Sequence, residues 1–146
     1  MASTNKSYGR IVERKFIEWL ANIWDLIVFR KNKDGSSNIH EFDIARSEEI
    51  NQHLDNQGVD IYFNPRAGIN HRYQCKGTTT SSLRTKPIDV QPLFDLDIDF
   101  LLTEIRIKKS KNKMYYGEVV TMRLDIFEQL IKDKYELQRT SGNKSE

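Results

Sequence analysis

Three polar residues lie in two short apolar segments that are typical of neighbouring strands. Asp60 lies in Val59–Phe63 (VDIYF), and Gln74 and Lys76 lie in His71–Gly77 (HRYQCKG). Side chains alternate between the two faces of a strand, so Gln74 and Lys76 share one face. If the two strands are neighbours, as a hairpin would make them, Asp60, Gln74 and Lys76 converge on one polar patch.

A glutamate in the first predicted helix could reach the same patch. The segment from Tyr8 to Trp24 is predicted to be an amphipathic helix, because its apolar residues recur three and four positions apart. At about 100° per residue, Glu13 falls inside the apolar arc, whereas Glu18 falls on the opposite side. A carboxylate that faces the interior needs a cation, a metal ion or hydrogen bonds to offset its desolvation. Glu13 is therefore a candidate metal ligand, and an ion pair with a nearby Arg or Lys is the alternative.

Two carboxylates, one amide oxygen and one ammonium group suit metal-assisted hydrolysis of a phosphodiester. Mg²⁺ prefers oxygen ligands and keeps waters and substrate phosphate besides one or two carboxylates. Glu13 and Asp60 would hold the ion, with the Gln74 amide oxygen and the Cys75 main-chain carbonyl as further ligands. Such an ion lowers the pKa of its bound water and offsets charge on the phosphate. Lys76 would orient or help deprotonate that water, or stabilise the developing charge. Mn²⁺ is expected to substitute for Mg²⁺.

Charge is segregated along the chain although the net charge is only +2. Residues 41–60 hold six acids and one base, Arg46, whereas residues 61–88 and 106–113 each hold five bases and no acid. Basic segments with Thr and Ser suit contacts to a phosphate backbone, and solvated loops are the alternative. The candidate DNA-binding residues are Arg66, Arg72, Thr78, Thr79, Arg84, Lys86, Lys108, Lys109 and Lys111.

The same residues carry a resemblance to a known group of enzymes. Gly58-Val59-Asp60, followed by Gln74-Cys75-Lys76 fourteen residues after Asp60, resembles the PD-(D/E)xK nuclease superfamily in its Gln-x-Lys variant. The first helix, with Gly9, Glu13, Ile17 and Leu20, is similar to the opening helix of that superfamily. The resemblance is strongest to the resolvase-like and phage-type branch, which includes archaeal Holliday junction resolvases.

The resemblance implies a small Mg²⁺-dependent DNA endonuclease, often a homodimer, with a restriction-endonuclease-like core. In that core a central mixed β-sheet of four to five strands is flanked by helices. By position, Glu13, Asp60, Gln74 and Lys76 take the catalytic roles. Val59 stands where the motif has proline, and Gln74 stands where a Glu or Asp is usual, which removes one negative charge from the site.

Several alternatives stay open. Asp43 could replace Asp60 as the motif aspartate, although it lies 31 residues before Gln74. Cleavage of duplex DNA at a fixed sequence, as by a restriction-type enzyme, is an alternative to structure-selective cleavage of a junction. Because Gln74 lacks the negative charge that the motif usually has, a catalytically inactive nucleic-acid-binding module on the same fold is a further alternative. The third alternative is a protein-binding inhibitor or adaptor, which would show no salt-sensitive affinity for DNA.

The elements that must position these residues indicate one α/β domain over residues 1–146, a length that suits a single core. A buried strand is predicted over Asp25–Phe29, a short strand or irregular segment over Ile39–Arg46, and a helix over Glu48–Asn56. A short helix is expected within Thr78–Asp95, because Pro87 and Pro92 interrupt it. Ile98–Ile107 is predicted to be a central strand that forms a hairpin with Met114–Val120 through a basic tip. A last helix is predicted over Leu124–Leu137.

Other features bound the class of protein. Residues 1–6 and 140–146 are expected to be flexible, and residues 31–57 could be a substrate-specific insertion. A single cysteine excludes an internal disulfide framework, and no apolar run approaches the roughly 20 residues that span a bilayer. The sequence therefore predicts a cytoplasmic protein without membrane association, or one in the host cell if a phage encodes it.

Overall fold

In the computed structural model, residues 2–79, 87–109 and 112–144 are described. They form an α/β structure with five strands in two sheets. The helices are α1 (Ala2–Trp24), α2 (Ser47–Ile50), α3 (Gln52–Asn56), α4 (Pro87–Asp95) and α5 (Leu124–Lys144). The strands are β1 (Ile44–Arg46), β2 (Ile61–Phe63), β3 (Tyr73–Thr79), β4 (Phe100–Lys109) and β5 (Asn112–Thr121).

The larger sheet is mixed and has the order β3-β4-β5. β4 pairs in parallel with β3 and antiparallel with β5. The predicted central strand is confirmed, since Leu101 and Leu102 are both buried and alternate residues face opposite sides of a strand. Leu102 packs with α1 and Leu101 packs with Val59 and Leu93, so both faces of this sheet are covered.

The predicted single sheet and the predicted hairpin between Val59–Phe63 and His71–Gly77 are both absent from the described residues. β1 and β2 form a separate antiparallel pair, so the structure has a three-stranded sheet and a two-stranded sheet where one sheet of four to five strands was predicted. The hairpin between Val59–Phe63 and His71–Gly77 was also wrong. β2 meets β3 through the backbone hydrogen bond from the Asp60 N–H to the Tyr73 carbonyl, at 2.9 Å. β3 instead pairs along its length with the more apolar β4.

The predicted strand over Asp25–Phe29 was wrong as well. Asp25 has a φ of 54° and ends α1 in the left-handed region, so the chain turns where the strand would start. The following segment makes an isolated bridge between Val28 and Ile44, and Ile27 is 42% exposed. The predicted helix over Glu48–Asn56 is broken into α2 and α3 at Asn51, whose extended backbone lets its side chain accept a hydrogen bond from the Leu54 N–H.

Helix α1 packs across the larger sheet and buries the face that carries Glu13. Its buried side chains are Val12, Phe16, Ile17, Leu20 and Ala21. Trp19 and Trp24, which have the spacing of core residues, are instead 52% and 42% exposed. The buried arc of α1 therefore includes Ala21 and leaves out Trp19. Glu13 consequently lies near the middle of the buried arc.

None of the helices in residues 2–79, 87–109 and 112–144 has both the length and the apolar character that a membrane crossing requires.

Candidate active site

Glu13 and Asp60 form the centre of the candidate site. Glu13 lies on the buried face of α1, and its side chain is 17% exposed. Burial, together with repulsion by the Asp60 carboxylate, raises the pKa of Glu13 to about 7 against the opposing effect of Arg46. Two carboxyl groups are therefore close enough to interact in a poorly solvated place, which is where a bound cation would be most strongly attracted.

Asp60 is held in place by three hydrogen bonds just before β2 begins. Its N–H donates to the Tyr73 carbonyl and its carbonyl accepts from the Ser47 N–H, both at 2.9 Å. Its Oδ2 accepts a hydrogen bond of 2.7 Å from the Cys75 N–H. Burial raises the pKa of Asp60 to about 6, although the bond from Cys75 acts in the opposite direction.

Cys75 contributes its main chain to this site. Because the N–H and C=O groups of one strand residue point to the same edge, the Cys75 carbonyl lies on the edge that faces Asp60. The thiol packs against the core beneath α1. Burial and the two neighbouring carboxylates raise its pKa well above the ordinary value. A thiol held neutral in this way is a poor nucleophile and a poor metal ligand, which leaves the carbonyl as the useful group.

Gln74 lies on the other face of β3. Its Nε2 donates to the Gly58 carbonyl at 3.2 Å, so its amide is tied to the turn that leads into Asp60. Gly58 has a φ of 79°, and a Cβ there would meet Leu96 Cδ1 at 2.8 Å and Gln74 Nε2 at 3.2 Å. The turn therefore requires glycine, and the Gln74 amide is held at Gly58, two residues before Asp60 in the chain, without being placed beside Glu13.

Lys76 shares the Gln74 face of β3 and is exposed. Within the part of the chain that the structure describes, no ion pair joins Lys76 to Asp60 or to Glu13. The structure therefore brings together Glu13, Asp60 and the Cys75 main chain. It places Gln74 and Lys76 on the opposite side of the same strand, so the four side chains do not form the single patch that alternation predicted.

Arg46 is a site residue that the sequence analysis did not select. Its guanidinium is buried, and its Nη1 lies 3.5 Å from Glu13 Oε2 and 3.0 Å from Glu48 Oε2. Its Nε lies 2.9 Å from Glu49 Oε1. The ion pair expected as the alternative explanation of Glu13 is thus present, but one guanidinium is shared among three acids. The sequence feature that could have identified Arg46 is that it is the single basic residue in the acidic segment 41–60.

Two of the candidate DNA-binding residues, Arg66 and Arg72, are engaged by neighbouring side chains. Arg66 forms an ion pair of 2.8 Å with Asp43, and Arg72 donates to Gln57 Oε1 at 3.3 Å. Thr78 is partly buried on β3. Of the other candidates, Arg84, Lys86 and Lys111 lie outside the described residues, as do the side chains of Thr79, Lys108 and Lys109.

Asp43, the alternative motif aspartate, has a structural explanation. Its carboxylate accepts hydrogen bonds from the Ile27 N–H and from Arg66 Nε, each at 2.8 Å. These bonds tie the segment after α1 to the turn after β2. Both carboxylate oxygens of Asp43 are therefore occupied away from Glu13.

Among the described residues, no group of three or more His, Cys, Asp or Glu side chains is placed to hold a metal ion. The donor set at the site is two carboxylates and a main-chain carbonyl. That set is small for Ca²⁺ or Zn²⁺, but it fits Mg²⁺, which keeps several waters and is commonly held by one or two carboxylates. Comparison with known proteins adds no family, since no protein family, curated protein or solved structure matches this chain.

Proposed function

We propose that this protein is a divalent-metal-dependent endonuclease that hydrolyses phosphodiester bonds in DNA, on a restriction-endonuclease-like core. The observation that carries the proposal is the buried pair of carboxyl groups, Glu13 and Asp60, with pKa values of about 7 and 6. Burying two acids together is costly unless a cation offsets their charge. Arg46 is already shared with Glu48 and Glu49, so the pair retains attraction for a divalent cation.

In this proposal Glu13, Asp60 and the Cys75 carbonyl hold Mg²⁺, which Mn²⁺ can replace. When bound, the ion supplies a water of lowered pKa and offsets charge on the phosphate. The Cys75 N–H fixes the orientation of the Asp60 carboxylate, and Arg46 fixes that of Glu13. Lys76 is exposed on the opposite face of β3, and in this proposal it contacts the phosphate backbone of the substrate and not the metal-bound water.

The test is cleavage of a panel of four-way, flap, duplex and single-stranded DNA with Mg²⁺ or Mn²⁺. Asp60→Asn and Glu13→Gln should each lower the cleavage rate by at least a hundredfold while leaving DNA affinity in EDTA within threefold. Asp133→Asn on α5 is the matched control and should cleave at the wild-type rate. Paired cuts in the four-way species would support a resolvase, and a fixed cut sequence in duplex would support a restriction-type enzyme.

A catalytically inactive nucleic-acid-binding module is the second candidate. The position of Gln74 favours it, because the residue lacks a negative charge and its amide is bonded to Gly58 rather than directed at Glu13. Salt-sensitive DNA binding without cleavage of any substrate by either metal would establish this candidate and exclude the endonuclease. Absence of salt-sensitive DNA binding would exclude both candidates and leave a protein-binding role.

A further inference from the structure

A second charged surface lies beside the carboxylate pair. A cleft of about 590 Å³ opens between α1 and the segment that follows it. Five basic side chains line this cleft, which we call the basic cleft: Arg14, Arg30, Lys31, Lys33 and Arg46. The acids in its lining are Glu18 and Glu49, so bases outnumber acids. A concave surface with excess positive charge attracts anions more strongly than the same charges on a convex surface.

The two acids are already engaged by two of the bases. Glu18 pairs with Arg30 at 3.0 Å, and Glu49 pairs with Arg46 at 2.9 Å. Arg14, Lys31 and Lys33 form no ion pair with any residue that the structure describes. These three side chains are exposed, so their charges are available to a ligand that enters the cleft.

The turn that carries the lysines is internally hydrogen-bonded. Asp34 Oδ1 accepts from the Ser36 N–H at 2.9 Å and from Ser36 Oγ at 2.6 Å, and the Asn32 N–H donates to the Ser36 carbonyl at 2.8 Å. Asn38 closes the base of the turn, accepting from the Arg30 N–H and donating to the Val28 carbonyl. A turn fixed in this way presents Lys31 and Lys33 at a defined place, which lowers the entropy lost when a ligand binds.

Arg46 is common to the basic cleft and the candidate active site. It is one of the residues that line the cleft, and its Nη1 lies 3.5 Å from Glu13 Oε2. A ligand bound in the cleft would therefore lie near Glu13. Of the apolar lining residues, Ile17 and Ala45 are each only 2% exposed, whereas Val28 and Phe29 are half-buried and form part of the wall of the cleft.

We propose that the basic cleft binds the phosphate backbone of DNA through Arg14, Lys31 and Lys33. The choice of DNA as the polyanion rests on the proposed function, whereas the cleft and its excess charge do not. We expect contacts to phosphates to supply most of the affinity, because the charges that the cleft leaves unpaired are cations. The segment predicted as an insertion would thereby contribute to holding the substrate.

The test compares two triple variants in EDTA, so that cleavage cannot occur. One is Arg14→Gln/Lys31→Gln/Lys33→Gln, and the control is Lys132→Gln/Lys134→Gln/Arg139→Gln, which removes the same charge from exposed positions on α5. Fluorescence anisotropy of a labelled DNA duplex is measured across salt concentrations. The cleft variant should bind at least tenfold more weakly and show a salt slope reduced by about two to three, whereas the control should lose no more than threefold.

Equal affinity of the two variants would overturn the proposal, provided that both unfold at the wild-type temperature, as expected for exposed positions. Vesicles with an anionic lipid provide a second arm. Loss of vesicle binding without loss of DNA binding in the cleft variant would also overturn it. Cleavage by the wild-type protein is measured separately. Cleavage without a loss of DNA affinity in the cleft variant would overturn the cleft proposal and leave the endonuclease proposal intact. A loss of DNA affinity in the cleft variant without any cleavage by the wild type would support the cleft proposal and exclude the endonuclease.

Discussion

Glu13 and Asp60 retain protons at pH values where exposed carboxyl groups are ionised. Their pKa values of about 7 and 6 compare with ordinary values of 4.5 and 3.8. These two groups therefore bind more protons in the folded chain than in the unfolded chain between about pH 4 and pH 7. The stability that these two groups contribute is fully present below their unfolded pKa values and is lost as the pH rises through 6 and 7.

The metal-free protein should consequently become less stable as the pH is raised from 4.5 to 8. The contribution of this pair to the free energy of unfolding should fall by roughly 5 kcal/mol, most of it between pH 5 and pH 7. Urea unfolding in EDTA across this range measures the effect. Glu13→Gln should flatten the profile, because a neutral amide replaces the group that titrates.

Glu18→Gln on the exposed face of the same helix is the matched control and should leave the profile unchanged. Addition of Mg²⁺ at pH 8 should restore stability to the wild type and not to Glu13→Gln, because the ion binds the folded state only. Identical pH profiles for the wild type and Glu13→Gln would show that Glu13 titrates normally.

Residue patterns predicted part of the site. The helical period placed Glu13 among buried residues, and the structure buries it there. The same pattern did not reveal Arg46, which reaches Glu13 from β1 across 33 positions of sequence. The faces of Gln74 and Lys76 relative to α1 could not be predicted, because alternation shows which residues share a face and not which element covers that face.

Helix α1 and strand β3 approach closely at Gly77. A Cβ at this position would lie 2.3 Å from Tyr8 Cε1, so the aromatic ring occupies the space of the missing side chain. The Tyr8 hydroxyl donates to Glu104 on β4 at 3.3 Å. Glu104 is 2% exposed and is paired with Lys15 at 2.7 Å and with Arg106 at 2.6 Å. This cluster fixes α1, and therefore Glu13, against the sheet.

Gly77→Ala should lower the free energy of unfolding by about 1–3 kcal/mol, because the new methyl group forces the Tyr8 ring to move. In a Tyr8→Ala background the same change should cost less than about 1 kcal/mol, since the ring is absent. Urea unfolding of the four proteins gives the coupling energy. An equal cost of Gly77→Ala in both backgrounds would mean that Tyr8 does not occupy this space.

The order of elements was largely predictable, and the pairing of strands was not. β4 and β5 were predicted because two strand-like segments lie close together in the sequence on either side of a short basic segment, which is a local signal. The parallel pairing of β3 with β4 depends on contacts about 27 residues apart and has no local signal. The predicted strand after α1 failed because its apolar run resembles a strand, whereas Asp25 turns the chain.

At the scale of the whole molecule, α5 has an apolar face that the rest of the described chain does not cover. The predicted face of Leu124, Phe127, Leu130 and Ile131 is exposed by 39% to 79%. Tyr135 and Leu137 extend it at 61% and 70% exposure. A continuous row of exposed apolar side chains of this length is typical of an interaction surface.

The homodimer implied by the resemblance stays a prediction, and α5 is where we expect the second copy to pack. Light scattering after size-exclusion chromatography should give twice the mass of one chain for the wild type. Phe127→Asp/Ile131→Asp should give a single chain with unchanged circular dichroism, because a buried charge disfavours association. A wild-type protein that remains a single chain at high micromolar concentration would contradict the dimer.

The central claim is that a divalent cation binds between Glu13 and Asp60. Isothermal titration of the metal-free protein with Mn²⁺ at pH 8 tests it without any substrate. We expect one ion per chain, with binding weakened at least tenfold in Glu13→Gln and in Asp60→Asn and unchanged in Asp133→Asn. Absence of binding at millimolar Mn²⁺, or equal binding by the wild type and Asp60→Asn, would contradict the claim.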